Sequence, residues 1–596
     1  MSKESASKGT VKRLLEYISR KKGKLIIIFV LVVLSAIFNV IGPYLIGKAI
    51  DDYIIPKNFK GLAVMLLFMA VVYFLGVITT WLQNYAMIGV AQDTVKNLRK
   101  DLFEKLQTLP LSFFDTRSHG DLMSRLTNDV DNVSNTLNSS VTSIFSSIIT
   151  LVGTFFMMLY LNLALTAITV ITVPTMIFVT KKIAKKTREY FNAQQAELGK
   201  INGFIEETIS GQKVVKVFNR EEKGISEFEN YNRNLRNIGI RAQSFSGIVG
   251  PISNMLNNIT YALIAGVGGY LALKGLITIG IIASFINYAK QFGFPINNIA
   301  NQYNLIQTAL SGAERVFEVM DEEPELEDIQ GAYDLKNSAG QVELKEVTFS
   351  YKKGRTTLKN VNINVEAGKT IALVGPTGAG KTTIINLLTR FYDIDRGKIL
   401  IDGQDICNIK RNSLRSALGI VLQETYLFSA SVRENIRYGK LDATDEEIER
   451  AAKMANAHTF ISRLQNGYDT ILTEDGSNLS QGQKQLISIA RAILANPSIL
   501  ILDEATSSVD TRTEVHIQEA MIKLMNGRTS FVIAHRLSTI RNADSILVVN
   551  DGEIIERGSH EQLLNKKGFY YKLFYHKWDD QCNEGLFCKE IVENAY

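Results

Sequence analysis

Six stretches of this chain, approximately residues 24–48, 61–90, 139–161, 163–182, 244–273 and 279–309, are predominantly apolar. Each has about the 20 residues that a helix rising about 1.5 Å per residue needs to cross ~30 Å of hydrocarbon. Residues 25–34 are apolar on every helical face, whereas a helix on the surface of a soluble core keeps a polar side. The pattern predicts six transmembrane helices in the first half of the chain.

The connections alternate in length: short at 51–60, long at 91–138, almost nothing at Asn162, long at 183–243 and short at 274–278. Lys3, Lys8, Lys12, Arg13, Arg20, Lys21 and Lys22 precede the first run, and Lys96, Arg99, Lys100, Lys105, Arg117 and Arg125 lie in the first long connection. The positive-inside bias places both termini and both long connections in the cytoplasm. The first run has full spanning length and no small-residue cleavage site follows it, so no signal peptide is expected. No proline interrupts 57–109 or 175–250, and 53 helical residues extend about 80 Å, so long cytoplasmic extensions of the helices are expected.

Charge divides the chain in the same place. Residues 1–320 carry 33 basic and 21 acidic side chains, and residues 321–596 carry 33 and 39. A positive excess confined to the membrane half points to anionic lipid rather than nucleic acid. With 46% hydrophobic residues and 9 prolines in 596, a disordered or collagen-like chain is excluded. Cys407, Cys582 and Cys588 are too few for a disulfide framework, and with only His576 near the last two they form no zinc pattern.

After the acidic, proline-containing stretch 321–328, short β-rich runs at 342–350, 370–374 and 498–502 alternate with helical segments, the pattern of an α/β domain. The strand at 370–374 runs into Gly375-Pro376-Thr377-Gly378-Ala379-Gly380-Lys381-Thr382-Thr383. This is a phosphate-binding loop: glycines let backbone amides wrap an anion, Lys381 reaches the β and γ phosphates, and the Thr382 hydroxyl suits Mg²⁺. The buried-strand pattern at 498–502 delivers Asp503 and Glu504 to an exposed strand end. Asp503 suits the magnesium shell and Glu504 the polarisation of an attacking water.

Between these elements stands Leu479-Ser480-Gln481-Gly482-Gln483. With it the chain resembles the ATP-binding cassette (ABC) transporters, whose signature is L-S-G-G-Q, over almost its whole length. The resemblance implies that Ser480, Gly482 and Gln483 contact the γ-phosphate held by a second chain, in a head-to-tail sandwich of two cassettes. Gln481 departs from the commonest signature. By the same resemblance Tyr351 is the aromatic that stacks on adenine, Gln423 links Mg²⁺ and water to the membrane contact, and His535 is the switch histidine. Asp510 lies in the loop crossing the dimer interface, and Glu474 is an acidic position before the signature found in exporters. His119, His458, His516, His560 and His576 are read as structural.

Six spans fused ahead of a cassette resemble the multidrug and lipid exporter subclass. The implied architecture is a polytopic α-helical membrane domain of six helices fused to an α/β P-loop nucleotide-binding domain. The expected boundaries are a cytoplasmic segment at 1–23, the membrane domain at 24–320, a linker at 321–340, the cassette at 341–577 and a tail at 578–596. Segments around Phe113-Phe114-Asp115 with Gly120-Asp121-Leu122, and Ser210-Gly211-Gln212-Lys213-Val214-Val215, look like its coupling helices. The resemblance implies a half-transporter that dimerises with a like or unlike chain and uses ATP and Mg²⁺ for alternating access. A bacterial plasma membrane follows from the same likeness. Fewer than two dozen residues without cysteine precede the first run, so no leader-cleaving peptidase is expected. A drug, lipid or peptide cargo stays open, as does a lipid translocase. A nucleotide-gated channel is disfavoured by the presence of Glu504 and His535, and an importer by the fusion of both halves. Within the runs Lys290 is the conspicuous ionisable residue, between Asn287 and Gln291 and ahead of Pro295; an ammonium there needs a wet cavity or partner, and an anionic group on cargo would meet it. Asn257 and Asn258 are candidates to line the same cavity, whereas Phe285 and Tyr288 carry no readable specificity.

Overall fold

The computed structural model describes residues 3–575 apart from 326, 353, 423, 424, 474, 475, 504–510 and 534–536. Gln423, Glu474, Glu504, Asp510 and His535, and the tail with Cys582 and Cys588, lie outside the described residues. Two units emerge: Met1–Thr108 with Ser118–Glu322, and Leu109–Arg117 with Glu323–Tyr596.

The first unit is helical, and the short α4 (Leu111–Thr116) belongs to the second. In chain order the other helices are α1 (Lys3–Ser19), α2 (Lys22–Ala49), α3 (Phe59–Gln107), α5 (His119–Ser124), α6 (Val130–Leu161), α7 (Leu163–Ser210), α8 (Gln212–Val217), α9 (Glu221–Leu273) and α10 (Ile279–Asp321). Each apolar run of the sequence lies in its own helix. Among the described residues, Lys22–Ile54, Phe59–Gln107, His119–Leu161 and Glu221–Leu273 are long and apolar enough to cross a membrane. The expected extensions are present: α3, α7 and α9 have 49, 48 and 53 residues, more than twice what hydrocarbon requires.

Local chemistry sets the breaks. Asn162 is extended, with φ −166°, and its side chain accepts from Leu165 N–H, so one residue ends α6 and caps α7. Thr278 caps α10 in the same way, and Asp51 accepts from Gly280 N–H at 2.8 Å. A Cβ on Gly280 would lie 2.1 Å from the Gly47 carbonyl oxygen, so glycine is what lets α2 and α10 meet. Below that contact the Ser284 and Tyr288 hydroxyls donate to the carbonyls of Pro43 and Val40 at 2.9 and 2.8 Å. Phe285 and Tyr288 are wholly buried in this packing.

The second unit continues in chain order with β1 (Val342–Phe349), β2 (Leu358–Val365), β3 (Thr370–Val374), α11 (Lys381–Leu388), β4 (Arg396–Ile401), β5 (Gln404–Asp405), α12 (Arg411–Ser416), β6 (Leu418–Val421), α13 (Val432–Arg437), α14 (Asp445–Met454), α15 (His458–Ile461), α16 (Gln481–Ala495), β7 (Ile499–Asp503), α17 (Thr511–Met525), β8 (Thr529–Ile533), α18 (Leu537–Arg541), β9 (Ser545–Asn550), β10 (Glu553–Gly558) and α19 (His560–Asn565). A six-stranded sheet in the order β10-β9-β3-β8-β7-β6 is parallel except at the β10 edge, and an antiparallel sheet runs β2-β1-β4-β5. On β7, Ile499 and Ile501 enter one hydrophobic core while Leu500 and Leu502 enter the other, which is why this strand reads as a continuous apolar run. The arrangement sends the carboxyl ends of β3 and β7, which flank β8, to one edge of the sheet, where ligands of open α/β sheets bind.

Candidate nucleotide site and membrane cavity

The loop leaving β3 is shaped for an anion. Gly378 and Gly380 have φ +83° and +109°, a region side chains disfavour, and a Cβ on Gly375 would lie 2.0 Å from the Val549 carbonyl oxygen. Gly380 caps α11, whose amides open toward the loop. Ala379, Lys381 and Thr383 are buried while Thr377 and Thr382 are exposed. Lys381 Nζ donates to the carbonyls of Gly375 at 2.9 Å and Pro376 at 2.8 Å, so the ammonium lies across the loop whose phosphates it is suited to reach.

Asp503 ends β7. Burial raises its carboxyl pKa and the charge of Lys381 opposes the rise. A hydroxyl and one carboxylate, from Thr382 and Asp503, fit a magnesium ion that keeps water and phosphate oxygens as its remaining ligands. Among the described residues no group of three His, Cys, Asp or Glu could hold a metal by itself. The donor set therefore suits a metal arriving with a phosphate.

Tyr351 is exposed and held by aromatic neighbours: Phe349 and Tyr392 meet it edge-on at 4.8 and 4.9 Å, and Asn386 Nδ2 donates to its hydroxyl at 3.1 Å. Its exposure leaves the ring accessible to a planar base. Tyr392, which the sequence did not single out, donates its hydroxyl to Asp115 in α4, and Phe113 of that helix is buried. Burial and the Asp115 carboxylate push the Tyr392 phenol upward.

Ser480 caps α16. Its Oγ accepts from Gln483 N–H at 3.3 Å, and Gln483 Oε1 accepts from Ser480 N–H at 3.0 Å. This capping box occupies two side chains expected to meet phosphate, and Gly482 beside them is buried. The spacing Ser-x-x-Gln carries that signal in the sequence. Of the second expected coupling segment, Ser210 ends α7 and residues 212–215 open α8, where Val214 and Val217 are exposed, as is Phe218 just after it.

Within the helical unit a cavity of about 710 Å³ is lined by Asn84, Asn138, Ser143, Asn287, Lys290 and Asn298, among others. Hydroxyl residues of α6 at 139, 142, 143, 146, 147 and 150 repeat at helical spacing and form one wall. Asn298 Nδ2 crosses to Ser143 and Ser147 Oγ at 2.7 and 3.0 Å. Lys290 Nζ sits 5.5 Å from the centroid of the Tyr261 ring. Asn257 and Asn258 are not among the described lining residues.

Two family descriptions match the chain: ABC transporter transmembrane region over residues 25–296, and ABC transporter over residues 358–507. An uncharacterized ABC transporter ATP-binding protein, YfiC, of Bacillus subtilis (strain 168) is 52% identical over 573 residues, covering 96% of this chain and 95% of its own. A fatty acid ABC transporter ATP-binding/permease protein of Mycobacterium tuberculosis is 45% identical over 501 residues, 84% of this chain and 79% of its own. The solved structure of a bacterial Atm1-family ABC exporter with ATP bound matches with a TM-score of 0.73 at 31% identity, covering 93% of this chain and 98% of that one.

Proposed function

Because the chain belongs to the ABC transporter family, as an exporter-type fusion of a transmembrane region with an ATP-hydrolysing cassette, we propose that two such chains pair to move an amphipathic molecule out of a bacterial cell across its plasma membrane. The observation that carries the reading is that one chain holds both a polar cavity among apolar helices and a phosphate loop. A lipid-like cargo is favoured among drugs, lipids and peptides by the relative named as a fatty acid transporter. That leaves lipid translocation as the second reading.

In this reading six helices span the bilayer, with both termini cytoplasmic. Tyr351 stacks on adenine; Gly375, Thr377, Gly378, Ala379, Gly380, Lys381, Thr382 and Thr383 hold the phosphates; Thr382, Asp503 and Gln423 face Mg²⁺. Glu504 polarises the attacking water and His535 orients it. Ser480, Gly482, Gln483 and Asp510 act across the interface with the second chain, where Gln483 must exchange its capping bond for a phosphate contact. The closed pair binds ATP better than the open pair, so binding favours one cavity orientation and hydrolysis removes the bias.

Hydrolysis by the reconstituted chain and by Glu504→Gln tests this. Turnover should fall by about 10²-fold or more in the variant while labelled ATP still binds. Unchanged turnover, or loss of binding in step with hydrolysis, contradicts the role given to Glu504.

A further inference from the structure

The membrane part of this chain carries one uncompensated charge. Residues 17–50, 53–92, 132–188 and 230–313 contain no aspartate or glutamate, and within the apolar stretches 25–47, 61–92, 132–180, 242–273 and 275–313 the one charged side chain is Lys290. The shortage holds for a pair of these chains as well, since a second copy adds a second lysine and no carboxylate at that depth.

Lys290 lies eleven residues into α10 from Ile279, about 17 Å along the helix and so near the middle of ~30 Å of hydrocarbon. An ammonium at such depth is costly unless solvated or paired. It lines the polar cavity, and among the described residues of the cavity lining there is no carboxylate to pair with it. Its aromatic neighbour Tyr261 supplies cation–π attraction but no counter-charge. The amides of Asn84, Asn138, Asn287 and Asn298 and the hydroxyl wall of α6 give the rest of the cavity dipoles that solvate an ion without neutralising it.

We propose that the transported molecule brings the missing charge: the cavity takes an anionic amphiphile whose carboxylate or phosphate head pairs with Lys290. This rests on the exporter reading above and deepens it by assigning the cargo's charge. Cationic amphiphiles would meet an ammonium with no carboxylate to offset it, so the same feature selects against them. A carboxylate and a phosphate share the chemistry that Lys290 recognises, and experiment separates them.

The test uses the full chain in nanodiscs of zwitterionic phosphatidylcholine, with four probes of matched oleyl chain: oleate, oleoyl lysophosphatidate, oleyl alcohol and oleylamine. Concentrations for half-maximal change in ATPase are compared, and equilibrium binding of labelled probe gives a readout independent of hydrolysis. One or both anions should act at concentrations about tenfold below the alcohol and the amine. Lys290→Gln should remove that advantage and leave the response to oleyl alcohol within about twofold, and Lys290→Arg should restore it. Loss confined to oleate identifies a carboxylate cargo, loss confined to lysophosphatidate a phosphate cargo. Equal or better action by oleylamine, or an anion preference that survives Lys290→Gln, overturns the proposal. Absence of Mg-ATP hydrolysis by the parent chain under every condition would instead overturn the exporter reading, while the binding comparison still decides the charge preference.

Discussion

Tyr392 donates its hydroxyl to the carboxylate of Asp115, joining the aromatic shelf of the nucleotide domain to the short helix α4. The same ring meets Tyr351 edge-on at 4.9 Å, so one side chain touches both the proposed adenine platform and the proposed coupling segment. Tyr392→Phe keeps the ring and deletes the hydroxyl. ATP affinity should stay within about twofold while stimulation of ATPase by the proposed amphiphilic cargo falls severalfold, because a hydrogen bond to a charged group is worth about 1.5–3 kcal/mol. Nucleotide binding and stimulated turnover on one preparation check this; weakened ATP binding with intact stimulation would place Tyr392 in the base platform alone.

Ser480 has two separable duties, a cap and a proposed phosphate contact. Ser480→Ala should destabilise the cassette by about 1 kcal/mol through loss of the N-cap. Ser480→Asp restores the cap acceptor but sets a carboxylate against phosphate, so melting should return toward the parent value while hydrolysis stays low. If Ser480→Asp recovers both, the serine serves as a cap only.

The six helices were legible because long apolar runs have few physical outcomes, and the phosphate loop because its glycine spacing is dictated by backbone geometry. The capping box at Ser480 and Gln483 is carried by the spacing Ser-x-x-Gln, within the same residues to which the family likeness gives a phosphate contact. Tyr392 was not legible: its significance comes from meeting Asp115, 277 residues earlier, and Tyr351, 41 residues earlier. Lys290 stood out as a charge, while its neighbours Tyr261 and the hydroxyl face of α6 emerge only when α6, α9 and α10 are packed together.

His560 supplies a pH dependence. Its Nδ1 lies 2.8 Å from the Tyr570 hydroxyl, and burial, reinforced by Arg541 and opposed by Glu561, pushes its pKa below 6.5. The folded chain keeps the ring neutral where the unfolded chain takes up a proton. Its stabilisation is therefore complete above about pH 6.5 and is lost as pH falls through the depressed folded value. Thermal unfolding of the full chain in nanodiscs should show the melting temperature dropping from pH 7.5 to 5.5, with a shallower drop for His560→Gln. Parallel slopes would assign the acid sensitivity elsewhere.

The most direct measurement is nucleotide-dependent movement of a labelled amphiphile across a sealed membrane. In inside-out proteoliposomes, Mg-ATP should drive a fluorescent fatty acid into the lumen with the parent chain, with transfer falling to the nucleotide-free level in Glu504→Gln. Transfer that proceeds equally without ATP, or that survives Glu504→Gln, would contradict coupling between cassette and cavity.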